Sequence, residues 1–135
     1  MVFMEDVLFF AQEKLKEVIR LLIELKKTQM AVELLEEFEY DAEDPDVFAR
    51  LDTKFNKNYH KLSYKFFDII DQIENIGFIV RDFEEGLVDF PTFFNGKQIF
   101  LCYKLGEDRI RYWHYKDDGF GGRRPLKELI RTLDK

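Results

Sequence analysis

The residues best able to do chemistry crowd into Gly86–Leu126, GLVDFPTFFNGKQIFLCYKLGEDRIRYWHYKDDGFGGRRPL. This stretch holds the only Cys (Cys102), the only Trp (Trp113), one of the two His (His114) and six of the seven glycines. His114 with carboxylates from Asp89 and Asp117 offers nitrogen and oxygen donors to a divalent metal, or an acid–base pair. Asp89 lies in Gly86-Leu87-Val88-Asp89-Phe90-Pro91, which reads as a compact turn that brings a carboxylate back toward a sheet edge. The plainer alternative is that Asp89 satisfies backbone amides in its turn and that His114 is a hydrogen-bonded boundary residue.

A second constellation is Gly119-Phe120-Gly121-Gly122-Arg123-Arg124-Pro125. Glycine amides, a helix opening at Pro125 and the forked donors of Arg123 and Arg124 suit a phosphate or carboxylate. The alternative is a flexible connection whose arginines pair with Asp117, Asp118 or Asp89. Together these residues give a ligand-binding set of Asp89, Trp113, His114, Gly119, Arg123 and Arg124.

Other chemistries are set aside. Ser63 is the only serine and falls mid-helix, far from this segment. One Cys and two His cannot close a four-ligand structural zinc site. There is no phosphate-loop or dinucleotide fingerprint. Cys102 would need a neighbouring base to act as a nucleophile; it reads instead as a small buried hydrophobe. His60 lies beside the apolar stripe of its helix and reads as a surface residue.

The elements that must position these residues follow from periodicity. Leu8, Ala11, Leu15, Val18, Leu22, Leu25, Gln29 and Val32 alternate spacings of three and four, which predicts a long first helix fading near Phe38. A loop is expected around Tyr40–Glu43. Asp44 as cap, Pro45 in the first turn and Asp46 start a second helix, which Gly77 ends. Its stripe is Phe48, Phe55, Tyr59, Leu62, Phe66, Ile69, Ile73 and Ile76, and its plain reading is core. Phe78-Ile79-Val80, Gln98–Leu105 and Arg109–Tyr115 read as strands, the last two joined by a tight turn at Gly106-Glu107. That register sets Tyr103 opposite Ile110, Leu101 opposite Tyr112 and Ile99 opposite His114. Cys102 and His114 then fall on opposite faces. Pro125 opens a last short helix with Leu126, Leu129, Ile130 and Leu133 inward.

The expected fold is α+β: a long antiparallel helical hairpin (1–76) packed with a small antiparallel sheet of about three strands and a short C-terminal helix (77–135), in one domain spanning 1–135. A chain of 135 residues supports one core. Fifteen Phe fill that core with rings. The net charge of −6 argues against nucleic acid as a partner. Its acidic excess sits mainly between Glu33 and Asp46, a solvated tip. No apolar run approaches the roughly 20 residues needed to span a membrane. The opening MVFMEDVLFF lacks signal-peptide features, and one Cys makes no internal disulfide, so the cytoplasm is the expected location.

Gly86-Leu87-Val88-Asp89-Phe90-Pro91, Leu101-Cys102-Tyr103-Lys104-Leu105-Gly106-Glu107, Trp113-His114, Gly119-Phe120 and Gly122-Arg123-Arg124-Pro125-Leu126 together resemble a small bacterial family, domain-of-unknown-function family 2203. Tyr103 stands where that family often has Trp, and the opening Val2–Asp6 matches its usual start only loosely. The resemblance implies that Asp89, Trp113, His114, Gly119 and Arg123 act together, and it implies no reaction.

The function expected from these readings is a small-ligand binding or interaction module with its site at the sheet edge, an anion being one ligand it suits, leaning away from an enzyme. One alternative is a small metal-dependent, hydrolase-like enzyme using Asp89, His114 and Asp117; a divalent metal is the only cofactor considered. The other is structural assembly. A long, partly uncovered aromatic stripe also predicts a homodimer through the hairpin.

Overall fold

The structure is a computed structural model, which describes residues 3–37 and 43–133. Most of the expected Tyr40–Glu43 loop lies outside those residues, as do Phe38 and the side chains of Ile130 and Leu133. Helix α1 (Met4–Glu37) and helix α2 (Pro45–Ile76) pack together as a hairpin, each about 50 Å long at 1.5 Å per residue. The Asp44 carboxylate accepts the Asp46 N–H at 2.9 Å, Pro45 fills the first helical position, and Gly77 ends α2 at φ +121°. These signals act within a turn of the chain, and so were legible in the sequence.

Burial along α1 follows the expected stripe: Ala11, Leu15, Val18, Leu22 and Leu25 are buried, joined by Met4, Leu21 and Thr28. Along α2 it does not. Only Ile69 and Ile73 are buried, because the sheet reaches only the end of that helix. Among the described residues no helix is long and apolar enough to cross a membrane.

The sheet has five antiparallel strands in sequential order, not about three. They are β1 (Ile79–Asp82), β2 (Leu87–Phe94), β3 (Lys97–Lys104), β4 (Tyr112–Tyr115) and β5 (Arg124–Pro125). Helix α3 (Leu126–Leu133) follows, so Pro125 belongs to a strand rather than to the first helical turn. The expected turn around Asp89 is in fact β2. Asn95 and Gly96, at φ +51° and +77°, make the two-residue reversal between β2 and β3. Pro91 is tolerated in β2 because β1 pairs only as far as Asp89, so Pro91 lies beyond its reach.

The β3–β4 register also differs from the expected one. Cys102 stands opposite Tyr112, Leu101 opposite Trp113, Phe100 opposite His114 and Ile99 opposite Tyr115. Gly106-Glu107 is not a two-residue turn; residues 105–111 form a longer loop. The Glu107 carboxylate accepts the Lys104 N–H at 2.6 Å, and its carbonyl accepts the Tyr103 hydroxyl at 3.0 Å. Gln12 of α1 clamps the loop's far side, donating to the Ile110 carbonyl at 3.0 Å and accepting the Ile110 N–H at 3.1 Å. The slip of one residue exchanges the faces of β4.

One sheet face, carrying Val88, Ile99, Leu101, Tyr103 and Trp113, joins the core with α1, the end of α2, Phe78 and Ile110. Each such side chain contributes about 1.5–3 kcal/mol on burial. The other face collects the polar residues.

Candidate functional site

The two-residue turn at Asn95-Gly96 fixes Asp89 directly opposite Cys102. The β3–β4 register then sets His114 opposite Phe100, diagonal to Cys102 on the same face. The separation of Cys102 from His114 expected from the two-residue turn is therefore overturned. Arg81 of β1 and Arg123, two residues before Pro125, complete this face, since Ile79 pairs with Asp89 and Pro125 with Tyr112.

Three of these side chains are buried: Asp89 is 2% exposed, Cys102 0% and His114 3%. One donor atom from each lies within 4.8 Å of the others. Arg81 Nε donates to Asp89 Oδ2 at 3.0 Å, and its guanidinium lies over the Phe100 ring. His114 Nδ1 donates to the Tyr115 carbonyl at 2.8 Å, since that oxygen can only accept. His114 Nε2 then faces Asp89 Oδ2 at 3.0 Å. A ring lone pair and a carboxylate lone pair at this distance require a positive particle between them, either a proton or a metal ion. Asp89 Oδ1 is buried without a hydrogen-bond partner, so the carboxylate has acceptor capacity left over.

Burial pushes the Cys102 thiol up to about 12, and the Asp89 charge adds to that, while Arg123 pulls the other way. The group is a thiol at neutral pH and so a poor nucleophile. A bound metal ion would displace its proton.

Arg123 has less freedom than the sequence implied. Its Nη2 donates to Glu107 Oε1 at 2.6 Å, and its guanidinium stacks over Tyr112 and Phe120 at 4.2 and 4.6 Å from their centroids. Its Nε is buried and without a hydrogen-bond partner. Glu107 thus ties the β3–β4 loop to the segment before β5; sequence reading passed over it.

The other expected site residues fall elsewhere. Trp113 points into the core and donates Nε1–H to the Pro125 carbonyl at 3.1 Å. Arg124 lies over Trp113 and Tyr115 and approaches Glu128 at 3.9 Å. Gly119 is exposed at φ +62°, with open space where a Cβ would project. Asp117 is exposed in the turn after β4 and is not part of the buried donor group. His60 is exposed, as expected.

His114 is the residue that sequence reading placed on the wrong face; Cys102 faces away from the core as the expected register had it, and the one-residue slip of β4 brings His114 to its side. The usable signal for the rest of the site was Asn95-Gly96, because counting outward from that turn pairs Asp89 with Cys102.

No curated protein and no solved structure matches the chain. A family model does match, over residues 7–126, which takes in α1 from Val7 onward, all of α2, the whole sheet and the Asp89–Cys102–His114 cluster. The chain belongs to the family described as Uncharacterized conserved protein (DUF2203).

Proposed function

We propose that this protein binds a divalent metal ion of the zinc class through Asp89, Cys102 and His114. The observation that carries this reading is the 3.0 Å approach of His114 Nε2 to Asp89 Oδ2, with Nδ1 engaged by the Tyr115 carbonyl. A backbone carbonyl on Nδ1 is the usual partner of a metal-bound imidazole, because it leaves the Nε2 lone pair free for the ion. One nitrogen, one oxygen and one sulfur donor suit a borderline-soft ion such as Zn²⁺ better than Mg²⁺ or Ca²⁺.

Three protein donors leave a fourth tetrahedral position, the arrangement of a site that holds water or substrate rather than a closed structural site. An ion there would lower the pKa of a bound water toward neutrality and supply a nucleophile for hydrolysis. Arg81 and Arg123 stand on the same face, each already paired with a carboxylate, Asp89 and Glu107 respectively. The reading keeps the expectation of metal-dependent chemistry, with Cys102 in the role given to Asp117.

The test is elemental analysis of the full chain after zinc loading and exhaustive dialysis. The expected result is about one zinc per chain in the wild type and a loss of roughly tenfold or more in affinity for His114→Ala. No retained metal in the wild type, or equal retention in the variant, contradicts the proposal.

A further inference from the structure

The half of the hairpin remote from the sheet has too much apolar surface for a lone chain. Among the described residues of α2, none before Ile69 is buried. Leu34 and Tyr64 are 68% and 76% exposed, and Met30 and Phe67 are exposed nearby. Between the helices runs a groove of about 830 Å³, lined by Leu34, Leu35, Lys61, Leu62, Tyr64 and Lys65 among others. The total area points the same way. A folded monomer of 16.3 kDa exposes about 7,500 Å² by mass scaling, whereas this chain exposes 9367 Å². The excess, about 1,900 Å², leaves room for the roughly 800 Å² each partner gives to a standard interface.

The charges of the same region say what would cover it. Arg50, Lys54, Lys57, Lys61 and Lys65 recur along exposed positions of α2 at helical spacing. Glu33, Glu36 and Glu37 are exposed at the end of α1. In a two-fold pairing each patch meets its complement on the other copy, as an isologous interface requires. We infer that the hairpin is the interface of a homodimer, in which two α1–α2 pairs form a four-helix bundle. The acidic end of each α1 lies against the basic stripe of the partner's α2, and Leu34 and Tyr64 fill the seam. This inference is independent of the metal proposal.

Sedimentation equilibrium on the full chain tests it. The expected mass is twice 16.3 kDa at micromolar concentration. Leu34→Glu with Tyr64→Glu should give a monomer of unchanged helix content, since neither side chain is buried within the chain. Lys61→Glu with Lys65→Glu should weaken the dimer by about tenfold or more, and adding Glu33→Lys with Glu37→Lys should restore it. A wild type that stays monomeric, or a dimer indifferent to both the apolar and the charge variants, overturns the inference. So does a hairpin covered only by a different protein.

Discussion

Asp89 and His114 belong to strands that are not neighbours, yet their side chains meet at 3.0 Å above the strand between them. Asp89 rises from β2 opposite Cys102, and His114 rises from β4 opposite Phe100. Both side chains lean over β3, so they bury each other together with the thiol. Arg81 closes the row from β1. This buried polar row, set against an otherwise apolar fold, is the feature most in need of a functional explanation.

Removing Asp89 leaves His114 and Arg81 without their shared acceptor. Breaking a buried charged pair by deleting one partner costs about 3–5 kcal/mol, so Asp89→Ala should lower the Tm by about 10 °C or more. Arg81 is 42% exposed along its side chain, and Arg81→Ala should cost about 1 kcal/mol or less. Thermal denaturation of both variants by circular dichroism checks this. Equal losses would mean that Asp89 matters only through its surface pair.

The buried thiol makes stability fall at alkaline pH. Its value is about 12 in the folded chain against an ordinary 9.0. Below pH 9 the thiol is protonated in both states, and its contribution is fully present. Between 9 and about 12 the unfolded chain ionises while the folded chain keeps its proton, so stability is lost as pH rises. The full loss is on the order of 4 kcal/mol. Urea denaturation at a series of alkaline pH values should show a shallower decline for Cys102→Ala than for the wild type. Parallel declines would contradict the assignment.

Two glycines with similar backbone angles should respond differently to substitution. Gly86, at φ +68°, has the Leu105 Cβ only 2.5 Å from where its own Cβ would stand, whereas Gly96, at φ +77°, has open space. Gly96→Ala should cost about 1–2 kcal/mol from backbone strain alone. Gly86→Ala should cost about 1–3 kcal/mol more, because the β2–β3 pairing must also shift. Urea midpoints for the two variants measure the difference, and equal costs would show that the contact relaxes freely.

Metal uptake should release protons. The Cys102 thiol, pushed up to about 12 by burial, must lose its proton to ligate the ion. Calorimetric titration in buffers of different ionisation enthalpy should show about one proton per ion released by the thiol at neutral pH. Release of none would place the ion elsewhere.

What the sequence disclosed divides by the range of the interactions that matter. Asp44, Pro45 and Gly77 marked the ends of α2 because capping acts within a single turn. The stripe of α1 was legible from Ala11 to Leu25 because one face meets one core. β2 was misread because Pro91 and Gly86 look like turn punctuation; what makes Pro91 acceptable is the early end of β1, which no local pattern reveals. The β3–β4 register was misread because Gly106-Glu107 is a plausible two-residue turn. The actual loop is held by Gln12, 98 residues away from Ile110. With that loop the β4 register places His114 on the face of Cys102, and this sets the composition of the site.

The most direct measurement is a cobalt(II) titration of the metal-free chain, followed by absorption spectroscopy. Ligation by Cys102 predicts a thiolate-to-cobalt charge-transfer band that saturates at one equivalent, disappears in Cys102→Ser and weakens in His114→Ala. A wild-type spectrum lacking that band, or a band unchanged in Cys102→Ser, would contradict the assignment of Asp89, Cys102 and His114 as a metal centre.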